Sequence, residues 1–176
     1  ELKPPPAALV VVVDSTLAHQ QFFAAVTKQF NQTDEESFVE PAIKLALSDP
    51  AFQKTDIGLV YAGNNATCSA GAPEIPPEKS ATARDKILAD LKAKQGSLAV
   101  NPVAIEGGLH RAYTELQGDK YKDYFRRAVL VLGNGGFTEA AVCSDPGGPL
   151  ELATAASTNA RKVDTYVVQF TKDPAP

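Results

Sequence analysis

The sequence predicts an α/β fold in which a doubly wound, mainly parallel central sheet carries helices on both faces, a three-layer arrangement of the Rossmann type. The first observation is the run of four valines within residues 8–13, because a strand that is apolar on both sides is typical of the interior of a parallel sheet. The second is a similar apolar run at residues 128–132. The third is the alternation of such runs with segments of helical periodicity, which favours right-handed crossovers and parallel pairing.

The first half of the chain is predicted to supply two strands and two helices. The strand at residues 8–13 is followed by apolar residues at helical spacing over residues 17–30. Residues 34–47 begin with acidic side chains, which favour a helix start, and continue with an apolar pattern that Pro41 interrupts. Residues 56–62 are predicted to form the second strand.

The second half is predicted to begin with a long loop over residues 63–78. A loop of this length in a compact domain is usually functional or locally cross-linked. The remaining predicted elements are helices at residues 80–94, 105–116 and 149–161, and strands at residues 128–132 and 163–170.

Length and charge restrict the class of protein. A chain of 176 residues is expected to form one domain, at residues 8–171, between proline-rich linkers at residues 1–7 and 172–176. The net charge of −4 and the lack of a basic patch argue against a nucleic-acid partner. No apolar stretch approaches the ~20 residues of a membrane-spanning helix, so we expect a protein that is not embedded in a membrane. The absence of methionine indicates a piece of a longer protein.

The order of the segments resembles a von Willebrand factor type A domain, a module used for adhesion and assembly. The segments that carry the resemblance are the valine-rich strand ending in Asp14, the strand at residues 56–62, the helix start Ile105-Glu106-Gly107-Gly108-Leu109, the strand and turn at residues 126–136, and the strand Thr165-Tyr166-Val167-Val168. The resemblance implies a non-catalytic protein–protein interaction or adhesion module of a larger extracytoplasmic protein. Its partner would be another protein or another domain of the parent chain.

Members of that family usually hold Mg²⁺ at a metal-ion-dependent adhesion site on the carboxyl face of the sheet. Asp14 matches the first ligand position, Thr16 keeps a hydroxyl, and Asn134 offers a neutral carbonyl where the family has an aspartate. Ala18 and Val103 replace the other ligands and offer no side-chain oxygen. One carboxylate and two neutral oxygens hold Mg²⁺ poorly against water. We therefore expect a degenerate site with no metal and no cofactor, in which Asp14 accepts amide hydrogen bonds at the start of the following helix.

The resemblance also implies two surfaces for contact with a partner. The binding face at the carboxyl end of the sheet would consist of Asp14, Ser15, Thr16, Asn134 and Gly135. Family members usually add a helix and a strand after the segment at residues 163–170, so we expect this strand to form an exposed edge, which is a natural docking place for another chain.

The two cysteines lie in loops rich in glycine, proline, serine and alanine that follow predicted strands. Either they are free thiols or Cys68 and Cys143 form a disulfide. Under the resemblance the two loops flank the first strand, and a bridge would close about 75 residues and contribute roughly 4 kcal/mol. A bridge would imply an oxidising compartment, and hence a secreted, periplasmic or cell-surface protein.

Catalytic signatures are lacking. The only histidines are His19 and His110, and the chain has no nucleophile elbow and neither nucleotide-binding fingerprint. We therefore predict that the protein is not an enzyme. The alternative is a small α/β enzyme or ligand-binding domain that uses the crevice around Asp14 and Asn134. One aromatic group is either an interface patch or partly buried under its own loop: Tyr121, Tyr124 and Phe125.

Overall fold

The computed structural model describes residues 5–14, 52, 54–62, 71–94, 105–133 and 148–169. Within these ranges one sheet is formed by five strands: β1 (Ala7–Asp14), β2 (Thr55–Ala62), β3 (Ile75–Lys79), β4 (Arg126–Gly133) and β5 (Asp164–Gln169). The described helices are α1 (Ser80–Lys94), α2 (Ile105–Leu116) and α3 (Gly148–Thr158), with a short 3-10 turn at Asp119–Tyr121.

The strand order in the sheet is β3-β2-β1-β4-β5. β1 lies in the middle and pairs in parallel with β2 on one side and β4 on the other, and β4 pairs in parallel with β5. Only β3 is antiparallel to its neighbour among the described strands. This arrangement confirms the predicted α/β fold with a mainly parallel sheet between helical layers.

The central strand is buried on both faces, as its run of valines predicts. Val11 and Val13 pack in the layer that contains α1. Val10 and Val12 pack in the opposite layer, with residues of α2 and α3. The alternation of side chains along a strand places consecutive valines in two separate hydrophobic cores.

The described helices agree closely with their predicted bounds. α1 and α2 begin and end at the predicted residues. α3 begins one residue before its predicted start and ends at Thr158, short of residue 161. None of the described helices has both the length and the apolar character needed to cross a bilayer. The helices predicted at residues 17–30 and 34–47 lie outside the described residues.

The prediction of a loop over residues 63–78 is wrong at its C-terminal end, where β3 (Ile75–Lys79) forms. Two consecutive prolines, Pro76 and Pro77, argue against a strand because proline has no N–H to donate. β3 tolerates them because it is an outer strand of the described sheet, in which it pairs on one side with β2. The carbonyl oxygen of Pro77 accepts hydrogen bonds from Lys120 Nζ at 3.2 Å and from the Tyr121 hydroxyl at 3.4 Å.

The aromatic group between α2 and β4 is mostly internal. Tyr121 is fully buried, and its ring meets that of Tyr124 edge-on with 5.2 Å between the centroids. The Tyr124 hydroxyl donates to Asp56 Oδ2 at 2.6 Å, and this hydrogen bond, with burial, raises the pKa of Tyr124 to about 12. Phe125 is 71% exposed. The group therefore supports the start of the sheet, and only Phe125 presents a large surface to solvent.

Candidate functional site

The parallel strands end level with one another at the carboxyl edge of the sheet. The Cα atom of Asp14 is the register partner of Ala62, and Val13 is the partner of both Tyr61 and Leu132. Asp14 is thus the last residue of the central strand, at the position where open α/β sheets gather their ligand-binding loops. The backbone of Asp14 lies where the sequence predicts it.

Most of the predicted site lies outside the described residues. This applies to the side chain of Asp14 and to the following positions: Ser15, Thr16, Asn134, Gly135, Cys68 and Cys143. The predicted binding face and the predicted disulfide therefore stay predictions. The described residues instead define the framework beneath that face.

A close helix approach forms part of this framework. A Cβ atom on Gly108 would lie 3.0 Å from Val12 Cγ1 and 3.1 Å from Ala62 Cβ. These distances are shorter than ordinary contacts between carbon atoms. Because glycine has no Cβ atom, α2 can pack directly on the ends of β1 and β2. The helix is consequently held against the strand that carries Asp14.

A buried ion pair joins α2 to the end of β2. Arg111 Nη1 donates to Glu74 Oε1 at 2.8 Å, and the two side chains are only 10% and 16% exposed. Arg111 Nη2 donates to the carbonyl oxygen of Tyr61 at 2.5 Å. The N–H of Tyr61 in turn donates to Glu74 Oε2 at 3.1 Å. The ion pair therefore satisfies both peptide groups of Tyr61, beyond the last β2–β3 register pair, Leu59 with Ile75.

A second buried carboxylate lies where α2 meets α3. Glu106 is 4% exposed, and a Cβ atom on Gly148 would lie 3.5 Å from its Oε1 atom. Gly148 is the first residue of α3 and has a φ of +68°, a conformation that glycine adopts without strain. A carboxylate at a helix N-terminus interacts favourably with the helix dipole. Glu106 thus lies beside the first residue of α3.

The side chain of Tyr61 belongs to the opposite layer, with α1. Burial raises the pKa of Tyr61 far above its ordinary value, and the neighbouring Asp90 carboxylate adds to the effect. The hydroxyl therefore keeps its proton at any physiological pH and does not act as a base. Tyr61 is a core residue whose backbone, rather than its hydroxyl, serves the carboxyl edge.

His110, one of the two histidines considered as a base, faces a different part of the molecule. It lines a cavity of ≈ 200 Å³ between α2 and α3, together with Tyr113, Thr114, Gln117, Leu152, Ala155, Ala156 and Asn159. His19 lies outside the described residues. In the described part of the chain, no three His, Cys, Asp or Glu side chains are grouped as a metal site requires.

The roles of Arg111 and Glu74 were not predicted from the sequence. One signal was present: Arg111 lies three residues after Gly108 and directly before Ala112, on the side of α2 that the apolar pattern buries. A charged residue on a buried helix face needs a partner of opposite charge. Nothing in the sequence identifies Glu74 as that partner, because it lies 37 residues away.

Comparisons with known proteins relate the chain to others through its fold. No family profile matches it, and no curated protein matches it either. It is similar to the crystal structure of an aerotolerance-related membrane protein from Bacteroides fragilis NCTC 9343, with a TM-score of 0.60 and 13% identity over 93% of this chain and 67% of the other. It is also similar to the conserved hypothetical protein BatB from Bacteroides thetaiotaomicron, with a TM-score of 0.54 and 16% identity over 93% of this chain and 66% of the other.

A looser likeness links the chain to the pilus adhesin SpaC from Lactobacillus rhamnosus GG, with a TM-score of 0.49 and 14% identity over 77% of this chain and 15% of the adhesin. The chain spans about two thirds of the length of the two Bacteroides proteins. At these identities the similarity concerns the fold alone. The two Bacteroides structures show that this chain has an α/β three-layer fold of the same kind as theirs.

Proposed function

We propose that this chain is a non-catalytic protein–protein interaction module, of von Willebrand A type with a degenerate metal site, within a larger extracytoplasmic protein. The observation that carries the proposal is the position of Asp14 at the end of the central strand, between the level ends of β2 and β4. Loops that follow such strands form the binding surface of open α/β sheets. The proposed binding face is Asp14, Ser15, Thr16, Asn134 and Gly135.

The chemistry of the framework favours binding over catalysis. Near the carboxyl edge, Arg111 is neutralised by Glu74. The Glu106 carboxylate lies at the start of α3, and the Tyr61 hydroxyl is held protonated by burial. A general acid–base pair needs groups that exchange a proton near the working pH. The Arg111–Glu74 pair instead holds α2 against the end of β2, which suits a rigid platform for contact loops.

Metal independence is proposed from the available oxygens. Mg²⁺ requires a near-octahedral set of oxygen ligands and tolerates little distortion. The positions that correspond to the family site offer one carboxylate, at Asp14, one hydroxyl, at Thr16, and one amide oxygen, at Asn134. The partner contact would then rest on hydrogen bonds and shape rather than on a shared cation.

An extracytoplasmic location is proposed on two grounds. The Bacteroides fragilis neighbour is described as a membrane protein, and fold similarity makes a comparable setting reasonable for this chain. The proposed Cys68–Cys143 bridge would form in an oxidising compartment. The partner would be another protein or another domain of the parent chain.

The proposal is tested by capture of partners from the extracytoplasmic fraction of the source cells on the immobilised chain. Asn134→Arg places a long charged side chain on the proposed face. Asp85→Arg makes a matched change on α1, where the aspartate side chain is 75% exposed. We expect the same captured protein with the wild type and with Asp85→Arg, in the presence or absence of EDTA, and its loss with Asn134→Arg.

Three results would overturn the proposal. Release of the partner by EDTA, or saturable Mg²⁺ or Mn²⁺ binding in calorimetry, would contradict metal independence. Undiminished capture by Asn134→Arg would remove the carboxyl edge as the contact surface. Circular dichroism of both variants should match that of the wild type, which checks that each keeps the fold.

A further inference from the structure

The two outer strands of the described sheet differ in their ability to pair with another strand. β3 is five residues long, contains Pro76 and Pro77, and ends in a charged pair of residues, Glu78 and Lys79. Prolines and charges are the features with which proteins protect a sheet edge. β5, at the other end, has six residues without proline: Asp-Thr-Tyr-Val-Val-Gln.

β5 presents apolar side chains that the described structure leaves exposed. Tyr166 is 59% exposed, Val167 57% and Val168 42%. These are three of the five large apolar side chains found exposed in the described ranges. A contiguous exposed apolar segment is unusual on a monomer and marks an interaction site.

The register shows that these side chains lie on both faces of the sheet. Tyr166 and Val168 are aligned with Leu130 and Leu132 of β4, on the face that carries α1. Val167 is aligned with Val131, on the face of α2 and α3. A strand that is apolar on both faces is typical of the interior of a parallel sheet. β5 therefore has the composition of an inner strand but the position of an outer one.

We propose that a second copy of this chain occupies this edge, with its β5 antiparallel to the first about a two-fold axis at Val167. An axis perpendicular to the sheet keeps the two faces of the sheet distinct across the interface. It places a residue that precedes Val167 opposite the residue that follows Val167 by the same number of positions in the other copy. Val167 then faces itself, Tyr166 faces Val168, and Thr165 faces Gln169. The pairing would join the two sheets into one continuous sheet.

The polarity of the strand is what selects a second copy as the occupant. Residues 165–169 are polar, apolar, apolar, apolar and polar, so each polar residue lies opposite a polar one and each apolar residue opposite an apolar one. Tyrosine opposite valine is a favourable aromatic and β-branched cross-strand pair. An axis at Tyr166 would instead place Asp164 opposite Val168 and Thr165 opposite Val167. No charged residue lies between Thr165 and Gln169, so no like charges meet near the axis.

Sedimentation velocity over a wide concentration range tests the proposal. The wild-type chain is expected to convert from monomer to dimer as its concentration rises. Val167→Lys and Val167→Glu each place like charges opposite one another at the axis, and each should raise the dimer dissociation constant at least about a hundredfold. An equimolar mixture of the two variants should dimerise again, because only at the axis does one residue face its own copy.

Phe125→Lys is the matched control, since Phe125 is 71% exposed and precedes β4, away from β5. It should leave dimerisation unchanged. A wild-type chain that stays monomeric, a dimer that Val167→Lys does not weaken, or a mixture that fails to reassociate would overturn the proposal. So would a monomer whose capture of another protein is lost with Val167→Lys, because that protein would then be the occupant. A monomer that keeps its Asn134-dependent partner would contradict the dimer and leave the proposed function standing.

Discussion

A few polar side chains near the carboxyl edge do structural work that the apolar core cannot do. The peptide groups of Tyr61 face the side of β2 that β3 no longer covers, and buried peptide groups need partners. Arg111 and Glu74 supply them with one donor and one acceptor. The cost of burying the two charges is offset by their mutual contact and by these hydrogen bonds.

Removal of Arg111 should therefore destabilise the protein strongly. Arg111→Met keeps the length of the side chain but leaves the Glu74 carboxylate buried without its cation and the Tyr61 carbonyl without its donor. We expect the free energy of unfolding to fall by about 3 kcal/mol. Urea titration followed by circular dichroism measures the change.

Lys86→Met provides the control for that experiment. It breaks the ion pair between Lys86 and Glu78, whose side chains are 53% and 34% exposed, and should cost less than about 1 kcal/mol.

The double variant Glu74→Gln with Arg111→Met should be more stable than Arg111→Met alone, because no unpaired buried charge remains. Equal losses for Arg111→Met and Lys86→Met would refute the structural role of the buried pair.

Single residues were predictable where burial follows from a local pattern. The burial of Val10, Val11, Val12 and Val13 follows from their being consecutive and apolar, and the structure confirms it. The role of Arg111 depends on Glu74, which reaches it only because β3 folds back beside β2. Contacts between residues distant in sequence depend on tertiary structure, which local patterns do not encode.

Helices with a clear periodicity of apolar residues were predictable, and the strand β3, which has none, was not. α1 and α2 have the bounds that their apolar spacing predicts. β3 has two prolines in five residues, and its pairing with β2 contains a register shift between Ile57 and Leu59. Such irregular pairing is typical of sheet edges. That residues 75–79 form a strand becomes evident only from their packing against β2 around Gly58.

Gly58 is the residue that lets β3 approach β2. A Cβ atom at this position would lie 2.7 Å from the Ile75 carbonyl oxygen and 2.8 Å from the Pro77 nitrogen. Both atoms belong to the backbone and cannot rotate away. Gly58→Ala should therefore displace β3 and lower the free energy of unfolding by about 2 kcal/mol. Amide hydrogen exchange should accelerate at Glu78 and Lys79.

Gly71→Ala is the corresponding control. Among the described residues, a Cβ atom on Gly71 would approach only Arg111 Cδ, at 3.4 Å, and this atom belongs to a flexible side chain rather than to the backbone. This variant should stay within about 0.5 kcal/mol of the wild type. If Gly58→Ala left both stability and exchange in β3 unchanged, the close approach of the two strands would not be required for the fold.

At the scale of the whole molecule, the fold class was predictable because alternating strands and helices permit few arrangements. The parallel order β2-β1-β4-β5 agrees with that expectation. The antiparallel β3 was not foreseen, because the connection that produces it reads as a loop. The framework of the candidate site follows from the same topology, which brings the ends of β1, β2 and β4 together. The backbone position of Asp14 at the end of β1 follows for this reason, whereas its role as a site residue and the loops that carry Ser15 and Asn134 stay predictions.

A disulfide between Cys68 and Cys143 would form a long-range link across this carboxyl edge. β2 ends at Ala62 and β4 at Gly133, on either side of β1, so the segments that carry Cys68 and Cys143 leave the sheet at the same edge. If the two cysteines are joined, the bridge closes about 75 residues and restricts the unfolded chain, which should stabilise the protein by roughly 4 kcal/mol. The native protein should then resist alkylation and weigh two hydrogens less than the reduced form. Reductant should lower the urea midpoint of the wild type and leave that of the Cys68→Ser, Cys143→Ser double variant unchanged. Two thiols that react in the unreduced native protein would exclude the bridge and remove its support for an oxidising compartment.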